Sequence, residues 1–326
     1  MKKLLILGLL SLVIAGCSQA KEQVESQTNA DSTVSDSLGD TYYSIIKRET
    51  NEDRNDFYMS LSSTKDFQIV GRELEKLSIP HFSTDSYYMA EGQYLDSSDR
   101  TQLLTRTNLA VSATEYPHSI QPQRDTTIDG LLNPIMVSNI YEQDFYSDEA
   151  GEELAGVSFA IVIDPLTEDR QALTTPMKDE EIKKFSESII PKFYEYLRNE
   201  KKEFKEIPIN ICVYQAANKI NSSIDGRYIL SCYSESSLGS IETLNYQNVI
   251  FSSTDAETLD GATSTEFAQL KAEMKKLSVD AVGVVGKGYY QDNVIQSMTI
   301  DVTVNVKTYG ELEFFVSKSL ELVDNA

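Results

Sequence analysis

The chain has 326 residues, with 51 acidic against 29 basic side chains and a formal net charge of −22. That balance argues against nucleic acid, whose binding needs clustered Lys and Arg to release counterions, and against electrostatic adhesion to anionic lipid. The length suits a short N-terminal region followed by two domains.

Met1-Lys2-Lys3 is a short basic start, and Leu4 to Gly16 carries no charge. A bilayer-spanning helix needs about 20 apolar residues. This run is shorter, and its basic, apolar, small-residue order is that of a secretory signal. Ile14-Ala15-Gly16-Cys17 has the form of a lipobox. An aliphatic residue is followed by two small residues, which let the backbone enter a protease cleft, and then by a thiol able to take a diacylglyceryl group. The expectation is a lipoprotein signal peptide over 1–16, cleaved between Gly16 and Cys17, with lipid on Cys17. The competing expectation is an ordinary cleaved signal. Two acyl chains, at about 0.8 kcal/mol per buried methylene, hold a protein stably where one does not. The partners this implies are the bilayer, reached through acyl chains on the extracytoplasmic face of the cell membrane, and the lipoprotein-processing enzymes.

Residues 17–40 contain no aromatic side chain and many Ser, Thr, Gln, Asn, Asp and Glu. Such a stretch buries too little apolar surface to offset its ordering entropy and is expected to be a disordered tether. A flexible chain of that length reaches about 25–30 Å.

Phe67, Val70, Leu74 and Leu77 are spaced as one face of a helix. Ser112 to Pro134 holds Pro117, Pro122, Gly130 and Pro134 and shows little periodicity, and loops of that length are usually functional or disordered. Gly156 to Ile163 predicts a strand. Ile182, Phe185, Ile189, Phe193 and Tyr196 form a second helical stripe, in which Pro191 is expected to kink or break the helix.

Ile207 to Gln215 and Gly226 to Tyr233 predict two more strands, and a symmetric hairpin would set Cys212 roughly opposite Cys232. In an exported protein that permits a disulfide. Directly opposed positions fit disulfide geometry poorly, and two reduced cysteines packed as small hydrophobes are the other expectation.

Thr263-Ser264-Thr265-Glu266 has the capping-box form, and Phe267, Leu270, Met274 and Leu277 follow at helical spacing. Ala281 to Gly286 predicts a short buried strand. From Ser297 to Val306 apolar Met298, Ile300, Val302, Val304 and Val306 alternate with polar residues, as in a half-buried strand. An internal echo links the ends of the chain. Glu73 to Ile79 resembles Glu273 to Val279, and each precedes a glycine–tyrosine segment, Glu91 to Asp96 and Gly286 to Asp292. The fold class expected is α+β, as two related repeats with largely antiparallel sheets, 41–175 and 176–326, divided near Thr174-Thr175-Pro176.

The chemistry-bearing residues are sparse. His81 and His118 belong to no H-x-x-x-H or H-E-x-x-H arrangement, so no metal ligand set is assigned. Gly283-Val284-Val285-Gly286-Lys287-Gly288 lacks the spacing and the Ser or Thr of a P-loop. There is no G-x-S-x-G elbow, no catalytic residue and no cofactor is assigned, and the sequence makes no positive case for an enzyme. A ligand of the body would be sought at the Ser112–Pro134 loop and the Gly286–Asp292 turn, where Tyr116, Tyr289 and Tyr290 offer amphipathic surface, although packing is their more ordinary role. A solute-binding lipoprotein of a transporter is an alternative. It would need a cleft between lobes and repeated βαβ units.

Several segments in order resemble the CamS family, the sex-pheromone-precursor lipoproteins of Gram-positive bacteria. They are Glu91-Gly92-Gln93-Tyr94-Leu95, Leu132-Asn133-Pro134, Ile140-Tyr141-Glu142-Gln143-Asp144-Phe145, Gly156-Val157-Ser158, Ile207-Pro208-Ile209, Gly283 to Tyr290 and Tyr309-Gly310-Glu311-Leu312-Glu313. The resemblance implies that a short apolar peptide from the end of the signal sequence is released as a mating pheromone for plasmid conjugation. Here that peptide would be Leu10-Ser11-Leu12-Val13-Ile14-Ala15-Gly16, and a peptide-pheromone receptor would be its partner. The resemblance assigns no activity to the folded body.

Overall fold

The computed structural model describes residues 42–47, 64–92, 94–106, 116–217 and 224–325. The leader and tether assigned above lie outside the described residues. The described chain is mixed α+β, with six helices and largely antiparallel sheets. It forms two compact units, Tyr43–Asn248 with Tyr290–Val294, and Val249–Tyr289 with Ile295–Ala326.

The larger unit contains, in chain order, β1 (Ser44–Ile45), α1 (Thr64–Ser78), β2 (Tyr88–Glu91), α2 (Ser97–Leu104), β3 (Thr127–Ile128), β4 (Leu131–Leu132), β5 (Ile135–Tyr146), β6 (Leu154–Leu166), α3 (Asp179–Glu200), β7 (Ile209–Gln215), β8 (Arg227–Ser234) and β9 (Glu242–Thr243). Seven strands make one sheet in the order β1-β2-β5-β6-β7-β8-β9. β5 and β6 are antiparallel, with Ile140 opposite Ile161, whereas β6 and β7 are parallel, with Phe159 opposite Ile211. A parallel pair needs a long crossover, and α3 supplies it.

Both faces of the sheet are covered, which is why β6 is buried without interruption from Val157 to Ile163. Odd-numbered Val157, Phe159, Ile161 and Ile163 pack with Ile182, Ile189, Ile190 and Phe193 of α3. On the opposite face the hydroxyls of Ser78 and Ser158 are 2.7 Å apart, Tyr228 donates to the Val70 carbonyl at 2.7 Å and Gln143 donates to the Gly71 carbonyl at 3.0 Å. These contacts hold α1 there. The smaller β3–β4 hairpin turns at Asp129 and Gly130, both with positive φ (49° and 78°).

Two expectations need correction. Of the kink or break expected at Pro191, the break does not occur, and α3 runs as one helix from Asp179 to Glu200. Its buried stripe on either side of the proline outweighs the lost intrahelical hydrogen bond. The expected division at residues 175 and 176 falls between β6 and β7, which are paired along Val157–Ile163. Pairing remote in sequence joins what a local loop seemed to separate.

From residue 246 the chain runs through β10 (Tyr246–Ile250), α4 (Thr254–Leu259), α5 (Gly261–Lys276), β11 (Val282–Gln291), β12 (Val294–Val304) and α6 (Tyr309–Asp324). The strands form a separate sheet in the order β10-β11-β12. α5 starts three residues before the place its capping-box sequence predicts, because Asp260 is the cap, accepting from the Thr263 N–H at 3.0 Å and the Thr263 hydroxyl at 2.7 Å. Gly286 faces α5 closely enough that a Cβ would lie 2.5 Å from the Phe267 ring. The segment expected as a turn, Gly286 to Asp292, is strand through Gln291. The reversal comes at Asp292 and Asn293, with φ of 51° and 63°, the left-handed pair that closes a tight hairpin. The echoed segments end α1 and α5, and each is followed by a strand, β2 and β11. β2 joins the seven-stranded sheet and β11 is the middle of the three-stranded one.

Candidate functional site

Glu142 of the large sheet is a buried carboxyl group with several partners. It and Asp144 sit two residues apart on β5, so both point to the face that carries α3, and they are 4% and 0% exposed. The Glu142 carboxylate accepts the backbone N–H of Tyr94 at 3.0 Å and of Leu95 at 2.9 Å. It also shares a hydrogen bond with the Asp144 side chain. Gly92 donates its N–H to the Glu142 carbonyl at 3.0 Å. The segment that follows β2 is therefore wrapped around one carboxyl group. Burial raises the pKa of Glu142, opposed by the Leu95 N–H, the Asp144 hydrogen bond, the Tyr94 N–H and the charge of Arg100.

The same segment leads directly into α2. Asp96 caps that helix, accepting from Ser98 and Asp99, and Asp99 returns a bond to the Asp96 N–H at 2.9 Å. Asp99 also accepts the Tyr196 hydroxyl at 2.5 Å and pairs with Lys201 at 2.6 Å. One acidic side chain thus ties the start of α2 to the end of α3. Burial, then Asp99, pushes the Tyr196 hydroxyl pKa well up.

α2, β5 and the turn after β6 enclose a cleft of about 440 Å³ whose lining includes Arg100, Arg106, Gln121, Ser138, Asn139 and Arg170 and, among the described residues, no Asp or Glu. Arg100 donates to Asn139 Oδ1 at 2.6 Å and to the Ile140 carbonyl at 3.0 Å. Gln121 belongs to the Ser112–Pro134 loop and is pinned to β5. It donates to the Val137 carbonyl at 2.6 Å and accepts from Met136 and Val137 at 3.1 and 3.2 Å. Arg106 lies 3.5 Å from Glu168, which also meets Arg124 at 3.3 Å and accepts from Asn133 at 3.2 Å. Burial lowers the Arg106 pKa. Glu168 opposes the shift, and the charges of Arg124 and Arg170 add to it. Arg170 stands in left-handed backbone (φ 63°) within the turn closed by Thr167 and Gln171.

The residues singled out in the sequence fare differently. Cys212 and Cys232 are free thiols. The register sets Cys212 opposite Ser231 and Cys232 opposite Ile211. That one-residue offset sends the two sulfurs to opposite faces of the sheet, where no disulfide can form. His81 stacks on Tyr233 with ring centroids 3.8 Å apart. Tyr116 and His118 line a second cavity of about 270 Å³ with Lys192, Glu195 and Asn199. Tyr289 and Tyr290 are buried packing groups. The leader residues Leu10 to Gly16 and Cys17 lie outside the described residues. Among the described residues no cluster of three His, Cys, Asp or Glu is arranged to hold a metal, and no helix is long and apolar enough to cross a membrane.

Both segments of the Glu142 cradle, Glu91 to Leu95 and Ile140 to Phe145, stand out in the sequence, but nothing in it shows that they meet. The signal is two carboxylates with period 2, Glu142 and Asp144, on one strand. The arginine cleft left no such mark, because Arg100, Arg106 and Arg170 have neither periodicity nor motif.

The crystal structure of a sex pheromone precursor from Lactobacillus salivarius is similar in fold, with a TM-score of 0.70 and 22% identity over 83% of this chain and 80% of that one. The C-terminal domain of the sex pheromone staph-cAM373 precursor from Staphylococcus aureus is similar with a TM-score of 0.67 and 19% identity, over 82% of this chain and 87% of that one. No curated protein shows significant similarity to the chain. The model of one family, described as the CamS sex pheromone cAM373 precursor, matches residues 49–325, which takes in both compact units. The chain belongs to the CamS sex pheromone precursor family.

Proposed function

We propose that the chain is the precursor of an exported lipoprotein, cut before Cys17 and anchored on the extracytoplasmic face of the cell membrane, whose leader yields the peptide Leu10 to Gly16 as a pheromone for plasmid conjugation. The observation that carries this reading is an apolar heptapeptide whose last three residues, Ile14-Ala15-Gly16, open the lipobox that ends at Cys17, at the head of a chain that belongs to a pheromone-precursor family. The peptide has no charged side chain and only one polar one. It can leave a membrane and still fill an apolar receptor pocket. The acidic body adds no attraction to anionic lipid, so anchoring falls to acyl chains on Cys17.

The test is mass spectrometry of medium from the producing bacterium, together with the membrane fraction. The heptapeptide ending at Gly16 should appear in the medium, and the retained protein should begin at a lipid-modified Cys17. A mature chain that begins elsewhere, or that leaves with the soluble fraction, would sink the lipoprotein reading. A lipidated chain with no heptapeptide in the medium would sink the pheromone reading alone.

A transporter's solute-binding fold is less well supported. It would need parallel βαβ units repeated through the sheet, and among the described residues the large sheet has two, β1–α1–β2 and β6–α3–β7, while its other four strand pairings are antiparallel.

A further inference from the structure

We propose that the cleft between α2, β5 and the turn carrying Arg170 is a binding site for a small molecule bearing an oxyanion, carboxylate or phosphate. The inference concerns the folded body and stands apart from the fate of the leader.

Charge is the first ground. The chain has 51 acidic and 29 basic residues, yet among the described residues three arginines and no acid line this cleft. Arginine presents a planar fork of donors that matches carboxylate and phosphate oxygens in pairs. Neutral polar side chains complete the lining, among them Ser97, Thr101 and Thr105.

Unused hydrogen-bonding capacity is the second. The Arg106 side chain is only 11% exposed, and its Nη2, like Nε of Arg100, is buried without a hydrogen-bond partner among the described residues. Buried donors are nearly always paired, so each such exception calls for a cause. Glu168 does not remove the excess, since it lies 3.5 Å from Arg106 and is shared with Arg124. The charges of Arg124 and Arg170 work against Arg106, and an anion between the guanidinium groups would relieve that repulsion.

Shape and rigidity are the third. About 440 Å³ falls within the range of small-ligand sites. The wall is fixed before any ligand arrives. Arg100 is held by Asn139 and the Ile140 carbonyl, and Gln121 by three bonds to β5. Such preorganisation limits the entropy lost on binding.

The experiment is calorimetric titration of the full chain in a non-ionic detergent with citrate, inorganic phosphate and pyrophosphate, at low and at physiological salt. At least one probe should bind one-to-one with a Kd of about 1 mM or tighter, more weakly at the higher salt. Citrate alone binding would identify a carboxylate site, and the phosphates alone a phosphate site. Arg106→Gln and Arg170→Gln should each weaken that probe about tenfold, and Lys318→Gln, the same charge change on α6, should leave it within about twofold. Arg170 is exposed, so its variant tests the site even where Arg106→Gln fails to fold. No saturable binding of any probe, or binding that both arginine variants retain unchanged, would overturn the assignment.

Discussion

A Cβ at position 92 would lie 2.2 Å from Cγ of Glu142 and 2.3 Å from its Cβ. These atoms are near the β5 backbone and cannot swing aside as the end of a long side chain could. Gly92 is therefore required by Glu142, and Gly92→Ala should cost about 1–3 kcal/mol through overpacking. Urea denaturation of the two proteins checks this. An unchanged midpoint would show that the segment after β2 is not held against β5.

Glu142→Gln has a pH signature. Burial raises the Glu142 pKa in the folded chain above its ordinary 4.5. The folded state thus keeps this proton to higher pH than the unfolded state does. Its stabilising effect is full below 4.5 and is lost as pH rises through the raised folded value. Glutamine does not titrate, so the stability difference should move in the variant's favour as pH rises from 4.5. Denaturation curves at several pH values would show it, and a constant difference would mean that Glu142 titrates alike in both states.

Lys201→Met should be more damaging than an ordinary surface change. Lys201 and Asp99 have side chains 14% and 10% exposed and lie 2.6 Å apart. Removing the cation leaves Asp99 with neutral donors only, a loss of about 3 kcal/mol for a buried pair. Replacing both residues by apolar ones of similar size should recover part of the loss, which a double-mutant cycle measures.

Arg198→Lys tests geometry at constant charge. The guanidinium donates to the carbonyls of Phe204, Lys205, Ile207 and Glu235 and to the Tyr194 hydroxyl. An ammonium cannot reach them all at once. Thermal and urea unfolding should both report a loss of about 1–3 kcal/mol.

Cys212 and Cys232 should resist alkylation in the folded protein and both react once it is unfolded. Burial raises both thiol pKa values, and the thiolate is the reactive form. The intact mass should not change on reduction. A gain of about two mass units would restore the disulfide that the register argues against.

The parts of this fold legible in sequence are those with a local cause. The alternation from Met298 to Val304 places β12, and the stripes from Val70 to Leu74 and from Ile182 to Tyr196 place α1 and α3. Pro191 does not break α3, because its cost is local while the packing that overrides it is tertiary. The division at residue 176 misleads for the same reason, since nothing near Thr175 reveals that Phe159 lies beside Ile211. At the site, Glu91 to Asp96 and Ile140 to Phe145 stand out as segments, but only the β2–β5 pairing brings Gly92 under Glu142. Arg100, Arg106 and Arg170 converge from a helix, its exit and a turn, and no period in the chain could have joined them.

The outermost strands of the large sheet, β1 and β9, are two residues long. An open edge is a template on which a neighbouring molecule can add its own strand, and short rims leave that template too small to use. The two ends of the large sheet therefore offer a neighbouring copy little to pair with. Lengthening either rim with apolar residues would turn that end of the sheet into a site of self-association.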